Sequence, residues 1–219
     1  DLHDYIMMDE EEFKKTYGLD PIKMIDINSA WKELKSRVES CKKCGLCETR
    51  HNTVFGEGPV NCKVMIIGEA PGEDEDLQGK PFVGKAGQLL TDILEKGGGI
   101  LRSSVYVANA IKCRPPDNRN PNLNEVTCCR EYLEAQLLLL QPKIIVTLGN
   151  IPTKALLNTS QGITSLRGRW QKWRGIDLLP MFHPSFLLRN GNDTNNSPGS
   201  PKYLTWQDVK SLKAKINEE

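Results

Sequence analysis

Residues Lys63–Leu90 read KVMIIGEAPGEDEDLQGKPFVGKAGQLL, and this stretch decides the fold class. Lys63–Gly68 is apolar after its lysine and stops at a glycine, the pattern of a strand buried on both faces. A glycine- and acid-rich loop runs from Gly68 to Lys85. An amphipathic helix follows, carrying Leu89, Leu90, Ile93 and Leu94 and stopped by Gly97, Gly98 and Gly99. Strand, long connection and helix in that order open a parallel sheet, since parallel neighbours need a crossover and not a tight turn.

The alternation continues downstream. Val105–Ala108 predicts a second strand, Asn124–Gln141 a long helix and Lys143–Leu148 a third strand. A helix starts over Gly149–Pro152 with Pro152 in its first turn, Ile176–Phe182 is a fourth strand, and Thr205–Ile216 a closing helix. Upstream, Asn28 or Ser29 caps a helix whose Trp31, Leu34 and Val38 share a face. The pattern is α/β, a mainly parallel sheet covered on both faces. Residues 1–27 read as an acidic N-terminal extension and 28–219 as a single domain; Asn192–Pro201 is a Gly/Asn/Ser/Pro loop.

The 219 residues suit such a domain, with 38% hydrophobic and 26% charged residues. The longest leucine block, Leu137–Leu140, is broken by Gln141 and Pro142, so no membrane span is expected. An acidic start (Asp1, Asp4, Asp9, Glu10, Glu11, Glu12) is unlike a secretion signal. Outside that start the chain holds 29 Lys and Arg against 22 Asp and Glu, a basic body that permits a phosphate-bearing partner or is simply a solvated face.

Seven cysteines, an odd number without an export signal, point to a reducing cytosol and to metal work. Cys41 and Cys44 form a C-x-x-C pair, and Cys113 and Cys129 supply a second pair, with Cys128 competing for the last place. Four thiolates suit zinc or an iron–sulfur cluster, and spacing does not separate the two. Cys47 has no evident role, and Cys62 packs beside the first strand.

Ligands of open α/β sheets sit beyond the carboxyl ends of the strands. That rule selects Glu69 and the acids Glu73–Asp76 after strand one, Asn109 after strand two, and His183 and Ser185 after strand four. The carboxylates suit a cation or an activated water, or are plain loop charge. Asn109 can offer a donor and an acceptor together. Leu166–Arg174 (LRGRWQKWR) interleaves cations with two tryptophans, either a nucleic-acid surface or a hairpin with buried Trp faces.

Together these segments resemble the family 4 uracil-DNA glycosylases, the iron–sulfur type. The resemblance rests on C-x-x-C at Cys41/Cys44, VFGEG (Val54–Gly58), GEAPGEDED (Gly68–Asp76), GKPFVGKAGQLL (Gly79–Leu90), NAIKCRPP (Asn109–Pro116), RGRW (Arg167–Trp170) and HPSFLLRN (His183–Asn190). It spans about four-fifths of the chain, leaving out the acidic extension. It implies a three-layer α/β/α sandwich around a four-stranded, mainly parallel sheet, and a [4Fe–4S] cluster on Cys41, Cys44, Cys113 and Cys129.

The implied activity is that of a monofunctional hydrolase that flips deoxyuridine out of DNA and cleaves its N-glycosidic bond. By this resemblance His183 stabilises the departing uracil and Glu69 positions the attacking water. Phe82 stacks on the base, Asn109 reads N3–H and O4, Glu75 crowds C5, and Gly68 and Ala70 let the backbone approach. Ser185 meets a phosphate, Phe186 or Leu187 wedges the emptied stack, and Arg167 and Arg169 bind DNA. The family contains a relative that traps the sugar on a histidine; Cys113–Cys129 carries no histidine, so turnover is expected. The expected setting is a monomer in a prokaryotic cytoplasm, at the nucleoid, with uracil-containing DNA as partner. Two other readings stand beside it: a non-enzymatic iron–sulfur or polymerase-associated DNA-binding module, and a zinc-stabilised α/β hydrolase of a small phosphorylated metabolite.

Overall fold

The computed structural model describes residues 26–190 and 197–218. Its elements run α1 (Ile27–Glu39), β1 (Val64–Gly68), α2 (Glu73–Gln78), α3 (Lys85–Asp92), β2 (Tyr106–Asn109), α4 (Leu123–Leu140), β3 (Ile144–Leu148), α5 (Asn150–Leu157), α6 (Ile163–Leu166), β4 (Gln171–Trp173), β5 (Ile176–Met181), α7 (Pro184–Arg189) and α8 (Pro201–Glu218). The strands form one sheet in the order β2-β1-β3-β5-β4. The first four are parallel, while β4 pairs antiparallel with β5.

Period-two alternation divides the sheet's side chains between two helical layers. Met65, Ile67, Tyr106, Ala108, Ile145 and Leu178 pack with Leu133 and Leu137 of α4, Leu156 of α5 and Trp31 of α1. Val64, Ile66, Val107, Val146 and Leu179 pack on the other face with Leu90 of α3 and Val209 and Leu212 of α8. Both faces are dry, which is why KVMIIG shows no polar alternation. Cys62 joins the first cluster, as expected of a packing residue.

Three details differ from the sequence reading. The sheet has five strands because Leu166–Arg174 contributes β4, which turns into β5 through Arg174 and Gly175 at φ 44° and 84°. Two successive positive φ values match the twist of a hairpin, so that stretch is the hairpin with buried Trp faces. The loop from Gly68 to Lys85 contains α2, closed by an αL glycine at Gly79. The first helix is capped two or three residues earlier than expected, by Asp26, whose side chain accepts from Asn28 N and Ser29 Oγ. Residues 1–25 of the acidic extension and 192–196 of the Asn192–Pro201 tract lie outside the described residues. Among the described residues no helix is long and apolar enough to cross a membrane.

Candidate active site

The carboxyl ends of β1, β2, β3 and β5 open onto one cavity of about 570 Å³. Glu69, Ala70 and Glu75 line it beside Phe82 and Asn109, and His183, Ser185 and Phe186 close the other side. Eight of the residues selected from sequence thus line one cavity. Gly68 lies just behind them: a Cβ there would stand 2.4 Å from both Phe82 Cζ and Asn109 Oδ1, so no other residue fits without shifting them. The Phe82 and His183 rings lie 5.8 Å apart, tilted by 31°.

Asn109 ends β2 almost fully buried, and its Oδ1 has no hydrogen-bond partner among the described residues. A buried acceptor left open is costly, and such an atom in a cavity wall waits for a donor from a ligand. The backbone beneath it is fixed. Its carbonyl accepts from Lys112 Nζ at 2.8 Å, and the same ammonium reaches Gln136 Oε1 at 2.6 Å and Phe55 O at 3.3 Å. Full burial brings Lys112 down to about 7.

His183 caps α7. Its Nδ1 accepts from Ser185 N at 3.1 Å and stands 2.8 Å from Ser185 Oγ. An Nδ1 that accepts a backbone N–H puts the neutral ring's proton on Nε2. Burial, with Arg189 adding repulsion, pushes His183 down to about 4, so the ring is neutral near pH 7. Burial also raises the Glu69 carboxyl above the usual range, opposed in part by Arg189. Glu75 is committed differently: Oε2 accepts from Gly72 N, and Oε1 from Val83 N and Gly84 N. Among the other loop acids, Asp76 is buried and accepts from His51 N, Asn52 N and the His51 ring.

Cys41, Cys44, Cys113, Cys128 and Cys129 line one small cavity, contributed by the end of α1, the loop after β2 and the start of α4. Arg50 Nη1 donates to Cys113 Sγ at 3.2 Å. Desolvation raises the Cys44 and Cys113 thiols, and Cys129 to about 12. Cys129 is buried, whereas Cys128 is half-exposed and donates to Lys43 O. Among the described residues no three His, Cys, Asp or Glu side chains converge on a single point as a lone ion requires.

Several predicted residues stand apart. Leu187 is 9% exposed, held against the protein, whereas its neighbour Leu188 is 49% exposed; both line a second cavity with Leu89 and Ile93. Arg167 gives its guanidinium fork to the buried carboxylate of Asp208 through Nε and Nη2, which leaves little of it for a phosphate. Arg169 is exposed away from the cavity. Trp173 is buried, and Trp170 donates to Ser211 Oγ, so neither ring is offered to a base. Sequence reasoning passed over Asn118, Asn120, Asn150, Thr164 and Arg189, which line the cavity. Asn150 was within reach, because it follows β3 and obeys the same strand-end rule.

A chain built this way belongs to the uracil DNA glycosylase superfamily, whose family model matches residues 55–210. Among its relatives are the type-4 uracil-DNA glycosylase of Sulfurisphaera tokodaii, 44% identical over 73% of this chain and 76% of the relative. That of Thermotoga maritima is 38% identical over 85% of this chain and 94% of the relative. That of Saccharolobus solfataricus is 41% identical over 72% and 76% respectively. Within the superfamily, the chain belongs to the type-4 uracil-DNA glycosylases.

Proposed function

We propose that this chain is a DNA repair glycosylase that extrudes deoxyuridine from DNA and hydrolyses its N-glycosidic bond, leaving an abasic site. One observation carries the reading: Asn109 Oδ1, buried and without a hydrogen-bond partner among the described residues, lines the same cavity as the Phe82 ring and a neutral histidine. Uracil offers N3–H to that acceptor and O4 to the amide's donor, and cytosine reverses both. Extrusion costs a few kcal/mol, offset by stacking on Phe82 and these bonds.

Bond cleavage leaves negative charge on uracil and positive character on the sugar. Neutral His183 donates from Nε2 to uracil O2 as the charge develops, a contribution of about 3 kcal/mol for a preorganised donor. Ionised Glu69 holds the attacking water and favours the cationic sugar. Glu75 acts at C5 mainly by holding Gly72, Val83 and Gly84 in place, with Ala70 beside it. Ser185 meets a phosphate, Phe186 fills the emptied stack, and exposed Arg169 lies along the strand, whereas Arg167 serves as an internal anchor. Without a histidine in Cys113–Cys129, product is released.

Cys41, Cys44, Cys113 and Cys129 are the residues that would hold a [4Fe–4S] cluster, and the donor set fits. The thiols line one cavity between three chain segments, and four thiolates are the ligand set such a cluster takes. When bound, the cluster supplies a cross-link between three chain segments and no glycosidic chemistry. Buried Cys129 suits this better than Cys128. The setting is cytoplasmic, at the nucleoid, with the chain as a monomer.

The test is an assay on oligonucleotides carrying U, T, C or hypoxanthine, with iron and sulfide measured on the same sample. Release of uracil with alkali-labile strand breakage is expected. Binding without breakage would favour a non-enzymatic module instead.

A further inference from the structure

Phe82 is held in a pose that its own backbone resists. Its φ of 51° lies in the left-handed region, unfavourable for an aromatic residue. Its carbonyl also presses against the helix that follows: a Cβ on Gly87 would stand 1.9 Å from Phe82 O. Such a conformation persists only where the surroundings over-determine it.

Two side chains of opposite charge do so from opposite sides of the turn. Arg102, half-buried in the short turn before β2, donates through Nη2 to Pro81 O at 2.9 Å. Its Nη1 donates to Phe82 O at 2.9 Å, Gly87 O at 3.1 Å and Thr91 Oγ1 at 3.0 Å. Glu75 Oε1 accepts from Val83 N and Gly84 N, at 3.0 Å each. Arg102 itself does not line the cavity, so it cannot touch a ligand there. A planar fork that spans neighbouring carbonyls is a stiff link, unlike a single ammonium.

We propose that Arg102 is a positioning residue for base recognition: it clamps the Pro81 and Phe82 carbonyls onto α3, opposite Glu75 on the amide side, and so aims the Phe82 ring into the cavity. This rests on the reading that Phe82 stacks on uracil. Loss of the fork lets the turn relax, and the ring loses its pose while the DNA-contacting surface stays intact.

The test compares wild type with Arg102→Ala, Arg102→Lys, Phe82→Ala and the double variant Phe82→Ala/Arg102→Ala. Single-turnover excision, DNA affinity and amide exchange are measured for each. Arg102→Ala is expected to lose about a hundredfold in single-turnover rate, with DNA affinity within about twofold. Arg102→Lys recovers part of the loss. The double variant is no slower than Phe82→Ala alone, because both changes act through one ring. The Val83 and Gly84 amides exchange faster in both Arg102 variants while β1 and β3 stay protected. Losses that multiply in the double variant, or unchanged exchange at 83 and 84, overturn the proposal. Should Arg102→Ala fail to fold, Arg102→Lys and its double with Phe82→Ala carry the same comparison. A Phe82→Ala protein excising uracil at the wild-type rate overturns the stacking reading and the purpose of the clamp together; the exchange data tell that apart from failure of the clamp alone.

Discussion

At the scale of single residues, the proposed mechanism needs both Glu69 and His183 deprotonated at one pH, the first charged and the second neutral. Glu69 must be ionised, and its carboxyl is raised by burial; His183 must be neutral, and it is lowered to about 4. Activity should therefore fall on the acid side as Glu69 takes its proton, before His183 does. In Glu69→Gln the residual rate is low, and its acid limb moves down toward about 4, the value of His183. A kcat–pH profile of both proteins checks this. The raised Glu69 also implies that the folded protein binds that proton more tightly than the unfolded chain. The stabilisation is present at low pH and lost as pH rises through the folded value, so at neutral pH the ionised group works against folding. Glu69→Gln should raise Tm there, by about 2–4 °C for each kcal/mol recovered. His183→Ala should cost about 10²–10³ in rate with little change in DNA binding. Asn109→Asp, which removes the donor facing O4, should erode the preference for uracil over cytosine in a competition assay. Unchanged preference would take Asn109 out of the recognition site.

At the scale of elements, the basic stretch before β5 separates charge left exposed from charge that builds. Arg167 anchors the segment before β4 to α8 through Asp208, which is 2% exposed. Removing the arginine leaves a buried carboxylate unpaired, so Arg167→Ala should cost about 3–5 kcal/mol in denaturant unfolding. The salt dependence of DNA binding should stay as it was. Arg169→Ala should do the reverse, leaving stability alone and reducing the salt slope by about one. The sequence could not divide these two, since R-G-R looks the same whether a fork turns inward or outward. Gly168 makes the inward turn possible: it sits at φ 72°, where a Cβ would collide with Asp208 Oδ1 at 2.4 Å. The same blindness affects α7, where Leu187 turns into the protein and Leu188 out of it. Their identity is equal, and only the helix's rotation against α3 distinguishes them.

At the scale of the whole molecule, the cysteine cavity and the active-site cavity share one stretch of chain. Pro115, Asn118, Arg119 and Asn120 line the active site, and they lie between Cys113 and Cys129. The proposed cluster would tie both ends of that stretch and limit its freedom. Cys113→Ser should therefore lower iron and sulfide content, lower Tm, and slow excision by weakening the cavity wall. Chelation of iron from the wild-type protein should move the same three measurements in the same direction.

Much of this molecule is determined by local chemistry. Hydrophobic runs buried on both faces, glycines that stop helices and the strand-end rule are enough to derive a parallel α/β sheet. They also place Glu69, Asn109 and His183 at one edge of it, because parallel strands all end on the same side. What only the tertiary structure decides is direction and pairing: which arginine is neutralised, which leucine is buried, and that an oxygen of Asn109 is left open. These depend on partners tens of residues away in sequence, and burial changes the energy of a polar group far more than its identity does.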